Sequence, residues 1–326
     1  MTAQKILIVR APFREVFMPE IRKHFGNQYE IDELLNIPQK QYNSKALKLY
    51  HKFINLYFIH ILKKRNYYFL LSEKRKIAHF EKCLKKIEGK KYDHFLCFRG
   101  DRVPTKALKK LREQTSNLIN YQFDGAKMCP KIWDKKIYFD TIYSFEKDDI
   151  KNYPELNLQF TTNFYFDSIK NQSSVPEFDF FYIGVGLDYR IKILNKLAKI
   201  LPEYSHNYIV SSTLTIEPPL KKGELNYIEN LNNVSNANCL IDIKLPVHNG
   251  LSFRIFESLI FEKKLITDNN TVKEYDFYHP NNILVVDYNH ISKKEIEEFL
   301  NKKYYKIDEN VKKYYSLKEW LLQKLR

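Results

Sequence analysis

Apolar positions along this chain change period repeatedly, from short continuous runs to helical stripes and back. Residues 5–10 (KILIVR) form a brief apolar run of the kind a buried parallel strand shows, and 19–25 read as the helix after it. Residues 44–64 predict a helix, with Leu47, Tyr50, Ile54, Tyr57, Phe58 and Ile61 near helical spacing. A second helix is predicted over 73–87, and Gly89 ends it. Then come a strand at 94–99, a helix at 105–113, and strands at 117–122, 137–144 and 158–161. Residues 168–177 (SIKNQSSVPE) are polar, close on a proline, and read as a linker.

The alternation restarts beyond it. Strands are predicted at 178–183, 208–211, 239–243, 264–267 and 283–286. Helices are predicted at 189–201, 251–261, 292–301 and 316–324. The helix from Ser292 carries Glu295 at its third position, a capping-box spacing. Two successive β/α blocks imply an α/β protein with two parallel sheets covered by helices. The expected domains are 1–167, on the acceptor side with a basic helical insertion, and 168–326, with the last helix packing back on the first domain. Ligands of such sheets bind beyond the carboxyl ends of the strands, here expected in a cleft between the halves.

Length agrees with two domains: 326 residues is long for one core. At 44% hydrophobic residues the chain has ample material for packed interiors. The net charge of +15 is uneven, because residues 45–91 hold 14 Lys and Arg against 3 Glu. Such a stretch suits an anionic partner, whether nucleic acid, an acidic glycolipid or an anionic membrane surface; lysines on solvated helix faces are the plain alternative. Cys83, Cys97, Cys129 and Cys239 form no metal-ligand spacing, so neither a zinc site nor a disulfide framework is expected, and a reducing, cytoplasmic setting fits. The run at 5–10 is too short for the core of a signal peptide. The longest apolar run, Phe53 to Leu62, is about half of what a membrane span needs. The chain is therefore expected to be cytoplasmic, or peripheral at the inner face of the membrane.

Only 8 glycines occur, so each is informative. Gly184 and Gly186 follow a predicted strand and precede a helix bearing Arg190. Glycines there let backbone N–H groups approach a phosphate. Tyr189 stands where a dinucleotide fingerprint needs its third glycine, which argues against a nicotinamide-dependent dehydrogenase. The run Leu245-Pro-Val-His-Asn-Gly250-Leu-Ser-Phe-Arg254-Ile-Phe-Glu257 also follows a strand. Asn249 or Ser252 is placed to cap a helix, Gly250 to permit close backbone approach, and the helix start to face an anion. Arg254 has the geometry to grip phosphate oxygens, and Glu257, one turn on, to accept ribose hydroxyls; an ordinary surface pair is the alternative.

The segment HNGLSFRIFESLIFEKKLITDN resembles the donor-site stretch of bacterial GT-B glycosyltransferases of the spore-maturation-protein-like type, many of which serve lipopolysaccharide or capsule assembly. Two earlier stretches are similar to the same group: Asn120-Tyr-Gln-Phe-Asp124 with the run from Ile137 to Asp148, and Phe178 to Gly184 with Arg190. His248, Phe253 and Glu146 depart from its pattern. The resemblance implies two Rossmann-like domains facing across a cleft. It implies glycosyl transfer from a nucleotide sugar to a glycan or glycolipid, with no resident cofactor and no metal. Its donor site maps onto Gly184, Arg190, His248, Asn249, Gly250, Leu251, Ser252, Arg254 and Glu257. Asp124 and Asp101, each at the end of a predicted strand, are candidates for the general base, and Arg99 and Arg102 for binding an anionic acceptor. A nucleotide-sugar epimerase and a non-enzymatic nucleic-acid binder are the rivals. No nucleic-acid motif supports the second, so nucleic acid is not an expected partner.

Overall fold

The computed structural model describes residues 4–34, 44–168 and 175–325. The first series of elements is β1 (Gln4–Val9), α1 (Arg14–Phe25), β2 (Tyr29–Leu34), α2 (Lys45–His60), α3 (Tyr67–Leu84), β3 (His94–Phe98), α4 (Thr105–Arg112), β4 (Leu118–Gln122), α5 (Gly125–Met128), β5 (Thr141–Ser144), α6 (Lys147–Asn152) and β6 (Leu158–Phe160). The second is β7 (Phe178–Val185), α7 (Asp188–Ile200), β8 (His206–Ser211), β9 (Leu220–Lys222), α8 (Tyr227–Ser235), β10 (Ala237–Asp242), α9 (Phe253–Ile260), β11 (Lys264–Thr267), β12 (Ile283–Val285), α10 (Lys293–Asn301), α11 (Glu309–Tyr314) and α12 (Leu317–Leu325).

Ile6, Leu7, Ile8 and Val9 are all fully buried, as a central strand with two covered faces requires. The sheet orders are β2-β1-β3-β4-β5-β6 and β12-β11-β10-β7-β8-β9. All pairings in the second sheet are parallel. Two compact units result, and neither is a continuous stretch. The first holds residues 1–11, 27–121 and 130–142; the second holds 12–26, 122–129 and 143–326. A single cut after residue 167 does not separate them, because α1 and residues 143–167 pack with the second unit. Within that unit Trp320 of α12 donates to the carbonyl of Thr162 at 2.9 Å and packs on Phe164. Leu7, Phe80, Phe95 and Leu108 centre the core of the first unit; Phe180, Tyr208, Ile241 and Phe299 centre that of the second.

Several boundaries differ from expectation for identifiable reasons. The strand predicted over 137–144 begins only at Thr141; residues Pro130–Tyr138 form a 3₁₀ stretch, and Ile137 is largely exposed. α1 starts five residues before Pro19 and carries that proline in its interior. β2, rich in Glu and Asp, is an edge strand with only Leu34 fully buried, so no apolar run marks it. α8 opens on a capping box between Asn226 and Glu229 that had no place in the predicted pattern. The linker expected at 168–177 lies mostly outside the described residues. Among the described residues no helix is long and apolar enough to cross a membrane.

Candidate functional site

In the second sheet the chain runs outward from β7 to β8 and β9, then returns to β10 on the opposite side of β7. Such a reversal opens a crevice at the carboxyl ends of the two central strands. Two arginines enter it from opposite sides. Arg190, in the first turn of α7, donates through Nη2 to the carbonyl of Ile243, just past β10, at 2.6 Å. Arg254, in the first turn of α9, donates through Nη2 to the carbonyl of Ile183 on β7. Its Nη1 lies 3.5 Å from Asp242, and its guanidinium sits 5.0 Å from the ring centre of Tyr182.

These groups are incompletely satisfied. The Nε of Arg190, the Nε of Arg254 and the hydroxyl of Tyr182 are buried without a hydrogen-bond partner. Each such donor costs about 1–3 kcal/mol in isolation. Three donors at one crevice therefore suit a ligand rich in acceptor oxygens. Asp242 is the nearby counter-charge, and it also accepts the hydroxyls of Ser252 and Thr267, each at 2.8 Å. Burial pushes the Tyr182 hydroxyl pKa up, while the two arginines pull it back. A Cβ on Gly184 would stand 2.8 Å from that hydroxyl, which explains the glycine without any ligand.

The turn before α9 is held differently from the sequence prediction. The N–H groups of Asn249 and Gly250 donate to the buried carboxylate of Glu146, that of Gly250 at 2.8 Å. A carboxylate of the chain itself thus takes the N–H of Gly250, the residue expected to let the backbone approach an external anion. Burial pushes Glu146 up in pKa, and the two backbone N–H groups oppose that shift. The close approach that demands glycine at 250 is to Phe145, whose ring would lie 2.5 Å from a Cβ. His248 stands edge-on to the same ring, and Asn249 also contacts Asp148 at 2.8 Å. Neither Asn249 nor Ser252 caps through its side chain: Ser252 holds the N-cap position, but its hydroxyl goes to Asp242. Leu251 is buried and its carbonyl accepts from Asn163 at 2.8 Å.

Glu257 is only 4% exposed. Its Oε1 accepts from the Tyr227 hydroxyl at 2.8 Å and from Asn230 at 3.1 Å. Burial pushes its pKa up, with Arg254 the strongest opposing influence. The carboxylate matched to ribose hydroxyls thus lies in a pocket of its own neighbours, on the face that α9 turns inward. Phe13 stacks on Tyr227 at 3.9 Å and meets Phe253 edge-on.

In the first unit Arg99 and Asp101 form a bidentate pair at 2.8 and 3.0 Å, and both are about 5% exposed. Arg99 is therefore not on a solvated loop, and its charge is matched internally. Arg102 is exposed. Asp124, at the N-cap of α5 in the second unit, is half-buried and follows Phe123, which packs on Phe253. Two cavities flank the carboxyl ends of the second sheet: one of ≈ 680 Å³ beside Gly186, Ser212 and Lys222, and one of ≈ 560 Å³ beside Lys196, Lys244 and Asp268. Burial pushes the Asp268 carboxyl up to about 6. Glu20, His24 and Asp167 are the one group of described residues close enough to share a cation, and Glu20 is already bound to Ser168. All four cysteines are buried and unbridged. Asp242, Tyr182 and Glu146 had no expected role, although an aspartate ending the apolar run CLID was a readable sign of the first.

No protein-family model and no curated protein matches the sequence. Solved structures resemble it along nearly its whole length. An α-glucosyltransferase in complex with UDP and a 13-mer DNA is 12% identical, over 99% of this chain and 95% of that one, with a TM-score of 0.58. A UDP-N-acetylglucosamine 2-epimerase from Rickettsia bellii is 11% identical over 100% and 96%, with a TM-score of 0.53. The lipopolysaccharide outer core galactosyltransferase WaaB is 12% identical over 99% of both chains, with a TM-score of 0.50. With its two six-stranded sheets, the chain has the GT-B fold shared by such glycosyltransferases and sugar-nucleotide epimerases.

Proposed function

We propose that the protein is a glycosyltransferase that moves a sugar from a nucleotide donor to a lipopolysaccharide, capsule or other glycan acceptor. The observation that carries this reading is the pair of guanidiniums crossing the β7–β10 crevice, with the Nε of each and the Tyr182 hydroxyl unpaired. A nucleoside diphosphate supplies acceptor oxygens for those donors and negative charge beside the guanidiniums. As the glycosidic bond to the donor breaks, charge grows on the departing diphosphate, and fixed cations stabilise that stage most. Asp124, half-buried at the N-cap of α5 in the same unit as the crevice, is the proposed general base for the acceptor hydroxyl. Leaving-group charge is met by arginines, so no metal enters the proposal, and a chelator should leave turnover unchanged. The enzyme would work at the inner face of a membrane that presents a lipid-linked acceptor.

A thermal-shift panel of nucleoside diphosphates and their sugars tests the donor site, because a ligand of the native state raises the melting temperature. No shift with any of them would sink the proposal. Release of free nucleotide only when a glycan acceptor is added marks a transferase. Conversion of the donor sugar without acceptor marks an epimerase instead. An oligonucleotide belongs among the acceptors tried, since one structural neighbour carries DNA.

A further inference from the structure

From Ser44 to Ser72 the chain has no acidic residue and six basic ones: Lys45, Lys48, Lys52, Lys63, Lys64 and Arg65. This stretch holds α2, the turn after it and the start of α3, all in the first unit. The pair of helices is anchored along a narrow seam. His51 meets the Tyr67 hydroxyl at 2.5 Å and Arg75 at 3.1 Å, and Phe58 packs on Tyr67. α3 also buries Phe80, Cys83 and Leu84 in the core of the unit, but the outer side of α2 is covered by little. Tyr50, Phe53, Tyr57 and Ile61 fall at helical spacing on one face and are 58%, 63%, 52% and 64% exposed. Phe69 adds a further 57%-exposed ring. More than half of the strongly exposed large hydrophobic side chains among the described residues lie between Leu47 and Ile77, so the concentration is local.

An exposed apolar face of this size marks an interaction surface. Its chemistry narrows the partner. Aromatic and aliphatic side chains interleaved with lysines, and no acid, are the composition of a helix that lies in the interface of a bilayer. Tyr and Phe suit the headgroup boundary. A second copy is a poor occupant, because a symmetric contact would set this all-positive face against itself. A span is excluded for α2, whose 16 residues are too few.

We propose that the outer face of α2, with the turn bearing Lys63, Lys64 and Arg65, docks on an anionic lipid bilayer. Phe53 and Ile61 enter the headgroup boundary, and the basic turn pairs with lipid phosphates. This surface is independent of the reaction proposed above.

Sedimentation of the full chain with vesicles of phosphatidylcholine, with and without phosphatidylglycerol, is the test. The protein should pellet with the anionic vesicles only. K63Q/K64Q/R65Q should weaken that binding by about a hundredfold, and F53S/I61S should also weaken it. All five positions are exposed, so both variants should melt where the parent does. F53W adds a local reporter, and its emission, as a difference from the parent, should shift to the blue on anionic vesicles. Failure to pellet, or pelleting that survives both variants with no shift from F53W, would overturn the proposal. So would loss of a self-associated species as the only effect of F53S/I61S, which would assign the face to a second copy.

Discussion

Arginines mark strand ends in both units, yet with opposite electrostatic outcomes. In the first unit Arg99 follows β3 and is closed off by Asp101, two residues on, in a buried bidentate pair. In the second, Arg190 and Arg254 reach past the ends of β7 and β10 to backbone carbonyls, and Asp242, 3.5 Å from Arg254, is shared with Ser252 and Thr267. The first arrangement is a finished structural element. The second leaves buried donors unpaired in the place where sheets of this type bind ligands. An arginine at a strand end is thus not evidence of a binding site; the local balance of charge and hydrogen bonds decides.

Breaking the finished pair should have the largest effect. Asp101→Asn leaves Arg99 buried without its counter-charge and should cost about 3–5 kcal/mol of stability, read by denaturant unfolding, with nucleotide affinity of the folded fraction unchanged. Altered affinity with unchanged stability would reverse the roles assigned to the two sites. Arg254→Ala should lower kcat/KM for sugar transfer by about 10²–10³ in a protein that still melts cooperatively. Turnover equal to the parent's would remove Arg254 from the site. Arg190→Ala should weaken nucleotide binding by about tenfold, measured by titration calorimetry, and an unchanged Kd would restrict the crevice to Arg254.

The smallest effect concerns pH. The Asp268 carboxyl holds its proton up to about 6 in the folded chain, because burial disfavours its charge, and releases it near 4 when unfolded. Between those values the folded state binds more protons, so this group's contribution to stability is complete below about pH 4 and is lost as pH rises through 6. Asp268→Asn should therefore gain in melting temperature relative to the parent as pH goes from 4 to 7. A constant difference across that range would show that Asp268 does not titrate abnormally.

Much of the fold was legible because apolar runs directly encode covered strands. KILIV and CLID sit where that rule places them, in strands paired on both sides within each sheet. The charged edge strand β2 was illegible for the same reason, since one solvated side removes the signal. At the site, Arg190 and Arg254 stood out by residue type and by their place after a strand. Their crossing at one crevice could not be read, because it depends on β10 returning beside β7 rather than beside β9. The contacts of Glu146 were invisible too. About a hundred residues separate it from Gly250, and no local pattern announces that a carboxylate will close a distant turn.

The interleaving of the two units has a practical consequence for anyone dividing the gene. Phe13 lies before α1, yet it stacks on Tyr227, and Phe164 and Phe166 extend the same aromatic cluster. A fragment that starts after residue 167 would retain the arginine crevice on paper but would strip Phe13, Phe164 and Phe166 from Tyr227 and Phe253. It would present bare aromatic rings to water and aggregate. The same cut would take Glu146 from the turn at Gly250. A domain swap with a relative would have to carry residues 12–26 and 122–129 along with the C-terminal half.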